Sequence, residues 1–481
     1  MLSNNFAYVG LMKFFEEISA IPRASYKEEK IADYLCDFAR SRGLDFYRDK
    51  TNNVLINAPA TVGCEDREAI LLQGHTDMVC EKNEGVEHDF DTQGLELYEE
   101  DGWIRAKGTT LGADNGVAVA VMLYVLDGGV ERHGPLQCLF TASEEVGLDG
   151  VKAFDYSKIY ARKMINMDSA DENLIIAGCA GGQRSSVKFD VKAEKCVAPF
   201  VAKVTIKGLA GGHSGEDIDK GRANANKLMG RVLNALINDV SLDVKLVSVH
   251  GGTKDNAIPR ECEVVVCVSD IDALKTKVSE LETVLRDGIS ASDKGLCVRV
   301  AHVGEQCEVE YICHDDAVRL VCFMHCVNVG IFDMNHNIEG LVEWSRNLGV
   351  VRCDSRGAEM VLSTRSSFES RIDASEAELD SLAHMLGASA KHYNRYPGWN
   401  FAPVSQMREA YIKAFEAVTG KKCEITVIHA GLECGFISEA VQGMDILSCG
   451  PVVLDLHSPD EKLNKASFER FYSVIKKVIE D

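Results

Sequence analysis

Apolar residues recur at helical spacing from about Leu11 to Arg42, and the Ile21-Pro22 step interrupts them, which predicts two opening helices. Downstream the period changes. The short apolar runs NVLINA, AILLQGHTD, LQCLFTASEE and KMINMD read as strands, whereas VAVAVMLYVL, after the small-residue stretch GTTLGADNG, reads as an apolar helix. This alternation predicts an α/β domain with a mixed sheet flanked by helices. The polar triplets HTD and SEE, and NMDS, fall at the C-terminal ends of the strand-like runs, the edge where open α/β sheets bind their ligands.

After Asp168 the pattern becomes α+β: alternating strands VAKVTIKGLA, VKLVSVHGG and ECEVVVCVSD, with helices at RANANKLMGRVLNALI and ALKTKVSELETVLRDGI. A strand pair followed by a helix occurs twice, at LVSVHGGTKDNAIPRECEVVVCVSD and again about ninety residues later at LGVVRCDSRGAEMVLSTRSSFES, which suggests an internal duplication. From about Tyr396 the α/β signature resumes with helix SQMREAYIKAFEAVTG, strand EITVIHA and closing helix FERFYSVIKKVIED. The expected organisation is a catalytic domain built from residues 1–184 and 394–481, interrupted by an inserted α+β lid at 185–393. A length of 481 residues agrees with two domains rather than one.

Composition narrows the function. With 46% hydrophobic and 26% charged residues and only 9 prolines, the chain has material for packed cores. Its 52 basic against 74 acidic residues leave a formal charge of -22, a field that repels nucleic acid and anionic lipid. No stretch of eighteen apolar residues is present, and the opening segment reads as helix rather than signal peptide, so a cytoplasmic protein is expected. The 17 cysteines are odd in number and sit mostly in apolar runs such as VVVCVSD and LVCFMHC, which indicates reduced thiols rather than disulfides or cysteine-held zinc.

Five residues recur at strand or loop ends of the α/β segments: His75, Asp114, Glu145, Asp168 and His457. Each has an ordinary reading by itself; Asp114 suits a helix N-cap and Glu144 with Glu145 suit a helix start. Together they form a hard imidazole and carboxylate set suited to zinc, with cobalt or manganese as alternatives. If Asp114 bridges, each of two metals receives one histidine and one further carboxylate. Asp77, two residues after His75 and so on the same face of a strand, is placed to fix the imidazole tautomer. Glu144, beside a ligand but pointing elsewhere, is placed to act as general base on a water.

HTDMV, GTTLGADNG, SEEVGLDG, NMDS, GLAGGHSGEDI, NAIPR, HAGLECG and LHSPDE stand in one order along essentially the whole chain. In this it resembles the two-zinc aminoacylase and carboxypeptidase superfamily, and within it the aminoacyl-histidine dipeptidases, also called Xaa-His or cytosol non-specific dipeptidases. The resemblance implies that His75 and Asp168 hold one zinc, Glu145 and His457 the other, and Asp114 both, with a cis Asp114-Asn115 peptide. It further implies an oxyanion-stabilising role for His213, often supplied by a partner subunit in a homodimer formed through the lid. Asn256 and Arg365 are then candidates for the substrate's free carboxylate, and Glu433 of HAGLECG for lining the pocket. The implied reaction is metal-dependent hydrolysis of small peptides, dipeptides with a free C-terminal carboxylate such as carnosine. A tripeptidase, an N-acyl amino acid deacylase and a catalytically dead binding protein are the alternatives; retention of Glu144 with all five ligands argues against the last.

Overall fold

The computed structural model describes residues 2–336 and 338–481 and divides into two compact units. The first comprises Met1–Cys179, Trp399–Val427 and Leu432–Asp481; the second comprises Ala180–Gly398 and Ile428–Gly431. The divisions at 179/180 and 398/399 lie five residues outside the expected ones at both ends. Short Ile428–Gly431 also joins the second unit from within the C-terminal segment.

The first unit is an α/β layer structure. Its eight-stranded sheet runs in the order Asp45–Arg48, Val54–Ala58, Leu136–Thr141, Ile70–His75, Lys163–Asn166, Asp445–Ser448, Leu174–Cys179, Glu424–Ile428. The four strands Leu136–Thr141, Ile70–His75, Lys163–Asn166 and Asp445–Ser448 are mutually parallel, and the pairs around them are antiparallel, so the sheet is mixed as expected. Parallel alignment gathers the C-terminal ends of these four strands on one edge.

Helix Ala113–Tyr124 explains the VAVAVML run: it is buried on nearly every side against the sheet. Its small Ala118 comes so close to Gly74 that any side chain at 74 would collide with Ala118 and Asn115. Helices Val9–Ser19, Glu29–Ser41, Gln406–Thr419 and Lys465–Glu480 share the same core. Phe15 of the first meets Phe468 of the last edge to face at 6.0 Å, so the two chain ends meet in a single hydrophobic interior.

The second unit is α+β around a nine-stranded sheet whose pairings are antiparallel throughout. Its strands Ala193–Lys207, Lys245–Gly251, Cys262–Val268 and Cys297–Ile312 stand in the spatial order last, first, third, second. Strands Gly181–Phe189, Val342–Asp354, Gly357–Ser366 and Ser389–Tyr396 repeat that order in mirror sequence, and the two sets meet where Lys245–Gly251 pairs with Val342–Asp354. In each set a helix follows the third strand, Ile271–Asp287 and Glu369–Met385. All 17 cysteines are free thiols, and Cys322 and Cys326 lie on helix His314–Cys326. Among the described residues no helix is long and apolar enough to cross a membrane.

Phe468 is fully buried, so Phe468→Ala should destabilise the first unit by about 3–5 kcal/mol, read as a lower urea midpoint of its unfolding transition.

Candidate metal centre

The parallel edge of the first sheet assembles the polar cluster. His75 is the last residue of its strand, Glu144 and Glu145 follow Leu136–Thr141, and Asp168 follows Lys163–Asn166. Asp114 stands at the start of helix Ala113–Tyr124, and His457 in the turn after Val453–Leu454. Backbone conformation is unusual here: Ser143, just before Glu144, has φ 53 and His457 itself φ 60, left-handed values rare outside glycine and frequent at functional sites. The Asp114-Asn115 peptide is cis. Asp114 does not cap the helix with its side chain; Gly112, at φ 65, holds the N-cap position and leaves the Asp114 carboxylate free.

That carboxylate faces two ways. Oδ1 lies 3.0 Å from His75 Nε2, and Oδ2 lies 3.1 Å from His457 Nε2. Asp168 Oδ1 is 3.7 Å from His75 Nε2, and Glu145 Oε1 is 3.2 Å from His457 Nε2. Donor atoms of His75, Asp114 and Asp168 lie within 4.8 Å of one another, as do those of Asp114, Glu145 and His457, so two groups share one aspartate. Buried Glu145 Oε1 has no hydrogen-bond partner.

Charge crowding shows in the titration of these groups. Burial pushes Asp168 up to about 6, reinforced by Asp114 and Glu145 and opposed by His75. Burial likewise raises Glu144 well above the usual carboxylate range, with Asp168, Glu433 and Glu145 adding to it. The hydrogen bond to Asp114, with the adjacent Glu145 carboxylate, raises His457 to about 10. For His75, burial works against protonation, but Asp114, Asp168 and Asp77 together hold its pKa well above the ordinary value. The two imidazoles therefore take protons where positive charge is needed, and a set of hard oxygen and nitrogen donors with an orphaned carboxylate oxygen suits divalent cations. His75, Asp168, Asp114, Glu145 and His457 fit them.

Asp77 lies past the end of its strand, so strand alternation does not aim it at His75; a buried hydrogen-bond set does. His75 Nδ1 bonds the Asp77 backbone carbonyl at 3.1 Å and lies 3.3 Å from Oδ1; Oδ1 accepts from Glu144 N–H at 3.0 Å, while Oδ2 accepts from Ser25 Oγ at 2.8 Å and Glu145 N–H at 3.2 Å. One carboxylate thus fixes both a ligand ring and the backbone carrying Glu144 and Glu145.

Glu433 is a correction. Expected to line the pocket, it is fully buried behind the strand ends, where Oε2 accepts from Gln73 Nε2 at 2.5 Å and Thr141 Oγ1 at 2.8 Å. Burial raises it to about 7, countered by His75. It offers a substrate no surface and instead braces the strands that end in His75 and Thr141.

In the second unit, His213 and Arg365 come together. Arg365 is 4% exposed; Nη1 donates to Tyr396 Oη at 2.9 Å, Nη2 is 3.5 Å from His213 Nε2, and Nε has no partner. No carboxylate pairs with this guanidinium among the described residues, which leaves it open to an anion. Gly215 permits the approach, since a side chain there would press on Arg365, His213 and the His429 carbonyl. His213 Nδ1 accepts from Glu216 N–H at 3.2 Å, which places the ring proton on Nε2, and burial with Arg365 nearby lowers its pKa, favouring the neutral ring. His429, bonded through Nε2 to Ser345 Oγ at 2.7 Å, is lowered to about 3 by burial and by Arg365 and His213. Asn256 sits beside this cluster in the turn before Ala257–Ile258, its carbonyl accepting from Ser214 N–H at 2.8 Å.

Sequence reasoning did not single out His429 and Tyr396, nor buried Arg23 and Glu461, whose side chains bond the loops carrying the ligands. The HAGLECG and LHSPDE motifs contain His429 and Glu461 themselves, so the signal was present without a role attached to it.

The model of the Peptidase family M20/M25/M40 matches residues 71–481. The chain is 35% identical over 475 residues to the cytosol non-specific dipeptidase of Escherichia coli (strain K12), covering 98% of this chain and 97% of that protein. The crystal structure of aminoacylhistidine dipeptidase from Vibrio alginolyticus superposes with a TM-score of 0.92 at 35% identity, covering 99% of this chain and 97% of that one. A tripeptidase from Staphylococcus aureus, at TM-score 0.55 and 16% identity over 98% of this chain and 97% of its own, shares the fold. With two clusters of donors joined by Asp114 on the edge of a mixed α/β sheet, and with matches over nearly its full length, the chain belongs to peptidase family M20/M25/M40.

Proposed function

We propose that this chain is a metallo-dipeptidase that hydrolyses dipeptides with a free C-terminal carboxylate, Xaa-His dipeptides among them. The observation that carries this reading is the pair of Asp114 oxygens addressing two different imidazoles. His75 and Asp168 would hold one divalent cation, Glu145 and His457 a second, and Asp114 both; zinc suits the donors, with cobalt or manganese as alternatives. When bound, such cations supply Lewis acidity, making water a stronger acid and polarising the scissile carbonyl.

The chain's own residues do the rest. Glu144 accepts a proton from the attacking water on a carboxylate oxygen and delivers it to the leaving amine nitrogen. Its environment serves both halves: burial favours the protonated, donating form, and added positive charge favours the ionised, accepting form. Asp77 keeps His75 in one orientation and Glu144 on a fixed backbone. Within the inserted unit, His213, neutral with its proton on Nε2, is a donor suited to a developing oxyanion. In the same unit Arg365, with Asn256 beside His213, suits a free carboxylate, the group that marks a short peptide's C-terminus. Names and sequence likeness support this assignment: both relatives at 35% identity are called dipeptidases, one of them cytosolic. Residence in the cytoplasm and assembly as a homodimer through the inserted unit belong to the same reading, the latter checked by sedimentation.

A panel of dipeptides, tripeptides, N-acyl amino acids and dipeptide amides tests the reading. Turnover should be confined to dipeptides bearing the free carboxylate and should vanish with chelator; activity only on tripeptides or acyl amino acids would replace it. Glu144→Gln should lower kcat by about 10²–10⁴-fold with metal content unchanged, measured by steady-state kinetics beside elemental analysis. Because neighbouring carboxylates hold protons on His75 and His457, metal uptake must expel them: affinity should rise with pH up to about 10. Calorimetry in buffers of different ionisation enthalpy should then count release of about two protons near pH 7, and no release would contradict the ligand assignment.

A further inference from the structure

We propose that Arg23 and Glu461 are positioning residues that set the spacing of His75, Asp114 and His457 before any cation arrives. The inference rests on the metal reading above. Glu461 stands four residues after His457 and is 2% exposed. Its Oε2 accepts the N–H groups of Leu111 and Gly112 at 2.8 and 2.9 Å, and Oε1 those of Ala113 and Asp114 at 2.8 and 3.4 Å. Four consecutive amides leading into Asp114 thus converge on one carboxylate, the arrangement by which a helix start holds an anion.

Arg23, also 2% exposed, completes the tie from the other side. Nη1 donates to the carbonyls of Thr76 at 2.9 Å and Asp77 at 3.3 Å, directly after His75. Nη2 donates to the Gly112 carbonyl at 2.6 Å, two residues before Asp114. Two buried, opposite charges therefore cross-link the three loops that carry His75, Asp114 and His457, and neither touches a ligand side chain. The Gly112 backbone is shaped to this purpose: at φ 65, with no Cβ, it leaves room for Arg23 Nη2, which a side chain would approach to 2.5 Å. A merely structural pair would need only compensated charge. Here the bonds of both side chains go to backbone within two residues of His75 or three of Asp114, so the direction of the shared Asp114 carboxylate follows from the two side chains.

Glutamine in place of Glu461 sets an amide NH2 against two of the four N–H donors, and lysine in place of Arg23 cannot span Thr76 and Gly112 with a fork. The full-length protein, stripped by chelator, is titrated with Zn²⁺ alone by calorimetry. Wild type should take two equivalents; Glu461→Gln and Arg23→Lys, folded by circular dichroism, should bind about 10–100-fold more weakly. Their kcat should fall similarly with KM kept within about twofold. A lowered Tm with wild-type Zn²⁺ affinity in both variants would overturn the inference and leave only a stabilising pair. Hydrogen exchange on the wild type needs no variant: amides of Leu111–Asp114 should be protected before Zn²⁺ is added, and rapid exchange there would equally overturn it. A wild-type chain that takes up no Zn²⁺ overturns the metal reading itself, and this inference with it.

Discussion

Asp77, Asp114, Glu144, Glu145, Asp168 and Glu433 crowd one edge of a sheet around two imidazoles, and mutual repulsion of these carboxylates is the constraint that the first unit is built to withstand. Like charges at this separation suppress ionisation or attract cations, and the raised values for Asp168, Glu144 and Glu433 express the first outcome. Parallel strands supply the geometry because their ends all exit on one edge. Hydrogen bonds from backbone to Asp77 and to Glu461 then absorb part of the negative charge, and Arg23 absorbs more. The cluster is thus held by its surroundings in an arrangement that its own electrostatics would disperse.

Much of this was legible in the sequence, for a definite reason. His75, Glu144, Glu145 and Asp168 follow apolar strand runs directly, and local periodicity reports where such a run ends. His457 lies nearly three hundred residues from Asp168, and only the return of the α/β pattern near Tyr396 suggested that it belonged to the same sheet. What stayed hidden depends on pairings that no local pattern encodes. Glu461 reaches Ala113 across 348 positions, and Arg365 reaches His213 across 152. Glu433 was misplaced because a polar residue in a glycine-containing loop reads as exposed, whereas Gln73 and Thr141 compensate its burial from two strands far away in sequence. Asp77 was found for a reason that does not hold, since it lies beyond the strand whose alternation was invoked.

The inserted unit solves a different problem. Its two strand sets have the same spatial order and join antiparallel at Val249 opposite Cys353, so each covers what would be the other's open edge. His213 follows the first strand of one set and Arg365 is the last residue but one of the third strand of the other. Their meeting at 3.5 Å therefore depends on the central seam between Lys245–Gly251 and Val342–Asp354 being in register. The seam thus brings a guanidinium without a carboxylate partner among the described residues beside a histidine whose burial favours the neutral ring.

Strand Asp445–Ser448 lies between Lys163–Asn166 and Leu174–Cys179, not at the margin of its sheet. A nascent chain emerging from the ribosome has both neighbouring strands by Cys179, yet the gap stays open until residues 445–448 are translated. At about 5–20 residues per second, the interval is roughly 15–60 s, during which the inserted unit is synthesised while the first sheet stays unfinished. His75, Asp114, Glu145 and Asp168 wait through it without His457, so the newborn protein offers a half-built set of donors to whatever ions surround it. Vectorial synthesis thereby delays the closed centre until His457 and Glu461 have been made.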